Sequence, residues 1–291
     1  MWLPPTSGAA FVSPLLPRFV AVAGGLILVQ LPFAVLRGHR TTVTRSLTLL
    51  AILAAVALAL AFAPWGFALL CAVLLALTVR EAGLPAPAVV PAVAGFAVLF
   101  LTRIVLAWPL VWLPAAFGLA TVVLARRHPA AAASGYPLVA LVVVPGAAAL
   151  ALVAVRSPAP AMALILLVQL NDAIGYLVGS AVGRHRPLPS ISPNKSVEGY
   201  LAGALAAAGG LALMHTALLP LRAGAPLVAD LALGAYVVVA ADLGDLALSA
   251  IKRARGVKDF GARLPGHGGV LDRFGNLFMA APLFALLWPL R

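Results

Sequence analysis

Cysteine, acidic side chains and lysine are all scarce in this chain. Among 291 residues there is one cysteine, Cys71, inside an apolar run. A lone thiol forms no intrachain disulfide, and zinc or iron–sulfur ligation needs clustered Cys or His. Cys71 therefore reads as a packed or lipid-facing side chain. Charged residues make up only 10% of the chain and apolar residues 63%. A soluble globular domain is about 45–50% apolar, so this composition excludes one. The apolar runs lack period-two alternation, which argues against a membrane β-barrel. There are no heptads, no low-complexity tail and no clear internal repeat. The opening residues MWLPPTSGAAFVSP carry no basic region, and the apolar run after Arg18 is too long for a signal-peptide core. We expect a first membrane helix that is kept.

What the chain does have is a series of apolar runs of roughly 18–24 residues, enough to cross a hydrocarbon core of about 30 Å. Proline, glycine and arginine divide them into 15–36, 44–63, 65–79, 88–106, 109–124, 137–155, 160–181, 199–220, 227–250 and 271–289. The expected fold is all-α: a polytopic helical membrane protein with about ten membrane helices, nine to eleven as the range. The basic residues test this. Fifteen of the 20 Lys and Arg fall in alternate loops: Arg37, Arg40, Arg45, then Arg80, then Arg126 and Arg127, then Arg184, Arg186 and Lys195, then six between Lys252 and Arg273. The other side holds Arg18, Arg156, Arg222 and Arg291, and Arg103 lies within the fourth run. Positive loops face the cytoplasm, which puts both termini outside. The same asymmetry explains most of the net charge of +12 without any nucleic acid. Such a face also attracts anionic lipid headgroups.

Of eight acidic residues only Glu81 precedes Asp172. The chain thus divides into an apolar scaffold, 1–168, and a C-terminal half, 169–291, that carries the chemistry. Three clusters stand out there. In QLNDAIGYLVG, Asn171 and Asp172 lie inside an apolar run, where an ionisable group is costly and by default functional; an interhelical hydrogen bond or an arginine partner is the structural reading. In ISPNKSVEG, Ser192 can cap a helix, Pro193 suits its first turn and Glu198 its positive end. Lys195 is disfavoured there by the dipole and makes better sense beside a bound anion. In ADLGDLALSAIKR, Asp242, Asp245, Ser249 and Lys252 share one helix face. Two carboxylates on one face need a cation between them, either Mg²⁺, which all-oxygen ligation suits, or Lys252, Arg253 or a neighbouring helix.

The third cluster is KDFGARLPGHGGVLDR. Lys258–Asp259 and Asp272–Arg273 flank a turn in which Gly266, Gly268 and Gly269 allow close backbone approach. Successive N–H groups in such a turn can bind an anion, and His267 can donate to a phosphate oxygen. A lone loop histidine is more often simply solvated, as His39, His128, His185 and His215 read. Acids, cations and a glycine turn on one face are the equipment of phosphoryl transfer. No serine–histidine–acid arrangement is legible.

The run SAIKRARGVKDFGARLPGHGGVLDR, Ser249 to Arg273, resembles the signature of the CDP-diacylglycerol synthases (phosphatidate cytidylyltransferases). That signature reads S-x-x-K-R, four residues, K-D, then L-P-x-H-G-G-x-x-D-R and an aspartate. Every fixed position through Arg273 fits with the right spacing. The upstream ND…GY…G and SPNKSVEG, with GDLALS, are similar to the family's earlier segments, so the resemblance covers roughly Asn171 to Gly275. Two positions depart: Gly275 stands where the family has its last aspartate, and Ser196 where it has threonine.

The resemblance implies a reaction in which CTP and phosphatidic acid give CDP-diacylglycerol and pyrophosphate. It implies Mg²⁺, one or two ions, with Asp245, Asp259 and Asp272 leading the ligands and Asp242 and Asp172 behind them. Lys195, Lys252, Arg253, Lys258 and Arg273 would contact phosphate. His267 with the Gly268 and Gly269 backbone would hold the triphosphate, and Ser249 would contact phosphate or cap the metal cluster. A homodimer in the inner membrane, with a cytoplasmic active site, is the assembly it implies. Other readings stay open at this point: a CTP-dependent enzyme for another lipid phosphate or lipid alcohol, an impaired relative, and a transporter. Against a transporter, the acids gather on one face and no paired broken helices recur in the two halves.

Overall fold

The computed structural model describes residues 16–35, 40–102, 113–128, 139–155, 158–214 and 226–288. Arg37, His39, Arg103, Arg156, His215, Arg222 and Arg291 lie outside the described residues. Among the described residues ten α-helices form: α1 (Leu16–Val35), α2 (Arg40–Ala61), α3 (Trp65–Glu81), α4 (Val89–Thr102), α5 (Leu113–Arg127), α6 (Val139–Leu152), α7 (Ala159–Val182), α8 (Val197–Leu213), α9 (Leu227–Ala254) and α10 (Val270–Leu287). No strand forms there; the nearest approach is one isolated bridge between Leu264 and Gly268.

Each helix lies on one of the apolar runs. A lipid-spanning segment must satisfy its own backbone, and a helix does so within itself. Four helices, α2, α7, α9 and α10, contain stretches long and apolar enough to cross a membrane unaided. Outward faces of the helices are apolar too: Leu205 on α8 and Val228 on α9 are 74% and 75% exposed. Such side chains match hydrocarbon rather than water. The chain is a helical membrane protein.

The helices pack as a chain of neighbours, α7 with α8, α8 with α9, α9 with α10 and α10 with α6, while α3 touches α2, α4, α6 and α10. Helix α10 is the centre, with Leu271, Phe278 and Phe284 fully buried. Close crossings depend on small residues, because lipid offers no hydrophobic drive and helices must meet backbone to backbone. Gly146 of α6 lies so near the Phe278 backbone that a β-carbon would collide with it. Helices α5 and α6 from the apolar scaffold pack directly on α9 and α10, across the line drawn at residue 168.

Two features of the C-terminal half set the site. Helix α9 has 28 residues, about 42 Å at 1.5 Å per residue, so its last turns project past the hydrocarbon core. Helix α8 begins at Val197 with Ser196 as its N-cap, the Ser196 hydroxyl accepting from the Gly199 N–H at 3.1 Å. The cap is therefore four residues later than the Ser192 expected from sequence. Ser192 instead donates its N–H to Leu188 in a preceding turn, so Pro193 lies ahead of the helix rather than in its first turn. Glu198 does lie in that first turn.

Candidate active site

Asp242 and Asp245 lie on α9 as the spacing predicts, but the cation between them comes from elsewhere. Lys195, in the segment leading into α8, places its Nζ 2.5 Å from Asp245 Oδ2 and 3.7 Å from Asp242 Oδ1. Burial pulls the Lys195 pKa down, but Asp245, Tyr200 and Asp242 outweigh it and hold the pKa above the ordinary lysine value. The ammonium also sits 5.1 Å from the centre of the Tyr200 ring, within cation–π range. A cation that looked misplaced at a helix start is thus placed by three anionic or electron-rich partners.

Lys252, one face-repeat further along α9, turns to a different acid. Its Nζ donates to Asp272 Oδ1 at 2.7 Å. The other oxygen of Asp272 accepts the Phe260 N–H at 2.7 Å and the Gly269 N–H at 2.9 Å. Asp272 therefore closes the loop onto the start of α10 and caps that helix from its third position. The Gly269 N–H expected to face a triphosphate is, in this structure, given to Asp272. Ser249 is half-buried between these two ion pairs.

The G-H-G-G turn is shaped by its glycines and gripped from outside. Gly266 and Gly268 have φ of +77° and +81°, the left-handed region open to glycine. A side chain at Gly268 would meet the carboxylates of Asp259 and Asp272, so those two acids flank one residue. From α2, Arg45 Nε donates to the Gly266 carbonyl at 3.0 Å and Thr48 Oγ1 to the Pro265 carbonyl at 2.8 Å. From α3, Glu81, its side chain 1% exposed, accepts from Arg263 Nη1 at 2.8 Å and from the Leu271 N–H at 2.9 Å. His267 is part-buried, with Nδ1 inaccessible and without a hydrogen-bond partner. Burial, with Arg273 and Arg45 nearby, pushes its pKa below the ordinary histidine value, so it is neutral at pH 7.

Helix α7 joins the two halves of the site through three polar positions. Gln169 Oε1 accepts from Arg273 Nη2 at 2.5 Å. Asn171 Nδ2 donates to Asp242 Oδ1 at 3.1 Å. Asp172 Oδ2 accepts from Asn276 Nδ2 at 3.2 Å and faces the charges of Lys195, Asp245 and Arg273. Below this polar layer an apolar pocket opens among α1, α2, α3, α6, α7 and α10, and Gln169, Arg273 and Asn276 form its polar end.

The structure brings Asp172, Lys195, Asp242, Asp245, Lys252, Asp272 and Arg273 into one layer, with Gly268 and Gly269 at its edge. Lys258, Asp259 and Arg253 remain exposed at the rim; Arg253 Nε donates to the Ile191 carbonyl at 3.4 Å and so ties the two loops together. Glu81, Gln169, Arg45, Thr48 and Tyr200 were not singled out from sequence as site residues. Glu81 alone left a signal, as the one acid in a half otherwise without any. Cys71 is fully buried in the pocket wall.

Comparison with known proteins accords with this geometry. The profile of the cytidylyltransferase family matches residues 43–290. An uncharacterised Escherichia coli protein, YnbB, is 40% identical over 121 residues, 42% of this chain and 39% of that protein. The phosphatidate cytidylyltransferase of Staphylococcus saprophyticus is 38% identical over 128 residues, 42% of this chain and 46% of its own length. That of Bacillus subtilis is 39% identical over 119 residues, 40% of this chain and 42% of its own length. The matches span less than half the length of each of these relatives. The profile, by contrast, runs through nine of the ten helices and through every residue of the polar layer, and the chain belongs to the cytidylyltransferase family.

Proposed function

We propose that the protein transfers the cytidylyl group of CTP to phosphatidic acid, giving CDP-diacylglycerol and pyrophosphate. The observation that carries this is the single polar layer where the middle of α7, the C-terminal part of α9 and the start of α10 meet, in which the signature acids and cations lie directly above an apolar pocket. A lipid phosphate and a nucleotide can meet at such a boundary. One phosphate oxygen of the lipid attacks the α-phosphorus of CTP, a new P–O bond forms, and the bond to the β-phosphate breaks as pyrophosphate leaves. The attacking oxygen is already anionic, so no protein base is required, in keeping with the neutral, partly buried His267.

Two polyanions repel, and the chain's cations answer that. Lys195, Lys252, Arg253, Lys258 and Arg273 would contact phosphate, with Arg273 on the lipid side and the exposed Lys258 and Arg253 on the nucleotide side. Fixed charges of this kind stabilise developing charge in the transition state. Mg²⁺ fits the donor set, since it takes one or two carboxylates and completes its shell with water and substrate phosphate. Among the described residues no three such side chains form a ready-made metal site, so Asp245 and Asp242 alone would hold it, once Lys195 leaves its place between them for substrate phosphate, with Asp172 and Asp259 acting from farther off; when bound it would screen the substrates from each other and polarise the leaving pyrophosphate. Asp272 holds Lys252 and two backbone N–H groups, which suits it to positioning that site from behind.

Ten crossings, a cytoplasmic site and an inner-membrane location complete the proposal. The supporting observation is that Arg45, Arg80, Lys195, Arg253 and Arg263 belong to helix ends and loops that converge on this layer, as alternate basic loops of one membrane face would. A homodimer is compatible with the apolar outer faces. A second reading, another lipid phosphate as acceptor, is favoured by Gly275, where Leu248 fills the space that an acidic side chain would need. Pyrophosphate release by the purified protein in nanodiscs with CTP, Mg²⁺ and phosphatidic acid tests the choice. Release with another lipid phosphate but not with phosphatidic acid would favour the second reading.

A further inference from the structure

The turn 264–268 gives its carbonyl groups to protein partners. Leu264 O accepts the His267 N–H at 2.9 Å, and Gly268 O accepts the Leu264 N–H at 2.8 Å. Pro265 O accepts Thr48 Oγ1 at 2.8 Å, and Gly266 O accepts Arg45 Nε at 3.0 Å. The N–H groups of Gly266 and Gly268 have no hydrogen-bond partner among the described residues. Backbone donors need partners, and a turn whose acceptors are taken while donors remain suits an anion. The Gly269 N–H is not one of these donors, since Asp272 holds it. Arg45 brings charge to the same place. It precedes Thr48 by three residues on α2, so the two side chains share a helix face and grip adjacent carbonyls. A β-carbon at Gly266 would lie 2.7 Å from Arg45 Cγ, so the turn rests directly on this side chain. Only Nε of Arg45 is used; its Nη1 and Nη2 have no protein partner, and it forms no ion pair, among the described residues. Arg45 is exposed, like Lys258 and Arg253 on the water side. Burial first, and then the charges of Arg273 and Arg45, depress the His267 pKa, which places both guanidinium groups near that ring. A guanidinium held by its Nε, with its planar fork free, is preorganised for a phosphate group.

We infer that Arg45, together with the Gly266 and Gly268 N–H groups, binds the terminal phosphates of CTP, so that α2 supplies part of the nucleotide site. The inference rests on the reading of CTP as a substrate and adds a cation that the signature does not contain. Arg45 offers its fork to a terminal phosphate while its Nε keeps the turn in register with that phosphate. Thr48 is a positioning residue, because it touches only the Pro265 carbonyl and keeps it turned toward α2. The apolar half of the chain, expected to be a scaffold, thus contributes a substrate contact.

The test is equilibrium binding of radiolabelled CTP with Mg²⁺ to the full chain in nanodiscs, with CMP or pyrophosphate as competitor. Arg45→Ala should weaken CTP and pyrophosphate at least about ten-fold. It should leave CMP, which has no terminal phosphates, within about two-fold. Arg45→Lys keeps the charge and loses the fork, and should recover only part of the affinity. Arg126→Ala removes an exposed cation from the last turn of α5 and should change none of the three, which separates a specific contact from a general loss of positive charge. Unchanged CTP binding in Arg45→Ala would overturn the inference. So would equal losses of CTP, pyrophosphate and CMP, the mark of a collapsed turn. Should Arg45→Ala fail to fold, Arg45→Lys gives the same comparison. Transfer to phosphatidic acid with an unchanged KM for CTP in Arg45→Ala removes the phosphate contact and leaves the reaction standing. Arg45-dependent CTP binding without transfer to phosphatidic acid leaves the contact standing and removes that lipid as acceptor.

Discussion

At the scale of single residues the acids divide into two kinds. Asp272 is 5% exposed and satisfied by Lys252 and two backbone donors. Removing one partner of a buried pair typically costs about 3–5 kcal/mol, so Asp272→Asn should lose thermal stability together with activity. Asp259 is exposed, and Asp259→Asn should lose turnover with an unchanged melting temperature. Parallel melting curves and turnover of the two variants check this; equal melting losses would contradict it. His267 gives a pH dependence. Its pKa is below the ordinary value of about 6.5, so the folded state binds fewer protons than the unfolded one just below that pH. Stability should therefore fall as pH drops below about 6.5, and less so in His267→Asn, as thermal denaturation between pH 7 and pH 5 would show. Asp172 and Asp242 were legible in the sequence because carboxylates are anomalous in apolar runs. Their partners were not, because Lys195 and Asn276 reach them from distant parts of the chain.

At the scale of elements the signature loop depends on helices that precede it by some two hundred residues. Glu81 reaches the Leu271 N–H across 190 positions. No local pattern encodes such a contact, so the sequence marked Glu81 only by its isolation. Truncation to alanine would leave the buried Leu271 N–H unsatisfied, a cost of about 1–3 kcal/mol, and would release Arg263. Glu81→Ala should thus speed tryptic cleavage after Arg263, while Glu81→Gln, which keeps an acceptor for Leu271, should do so less. Equal cleavage in all three proteins would remove Glu81 as the anchor of the loop. Gly275 is also an element-scale matter. It sits where α10 meets Leu248 of α9, so Gly275→Asp alone should destabilise the crossing by about 1–3 kcal/mol through overpacking. Gly275→Asp with Leu248→Ala makes room for the acid, and melting temperature should recover in the double variant. Failure to recover would show that burial of the carboxylate, not its volume, is the obstacle.

At the scale of the whole molecule the apolar runs predicted every described helix to within a few residues, because a lipid-spanning chain has one local solution. Which helices touch was not legible. Nothing in the sequence says that α10 sits between α3, α6, α7 and α9, or that α1, α2 and α3 wall a pocket beneath Arg273. Those arrangements rest on small-residue crossings such as Gly146 against Phe278, whose partners are set only in three dimensions. The result is a polar layer over an apolar pocket, which is what the proposed reaction between CTP and a membrane lipid would require. The most direct test compares CTP labelled at its α-phosphorus with CTP labelled at its γ-phosphorus, each incubated with the protein, Mg²⁺ and phosphatidic acid. The α-label should enter the lipid and the γ-label should leave as pyrophosphate, with both transfers lost in Asp245→Asn. Label from the γ position in the lipid, or no lipid label from either, would contradict cytidylyl transfer to phosphatidic acid.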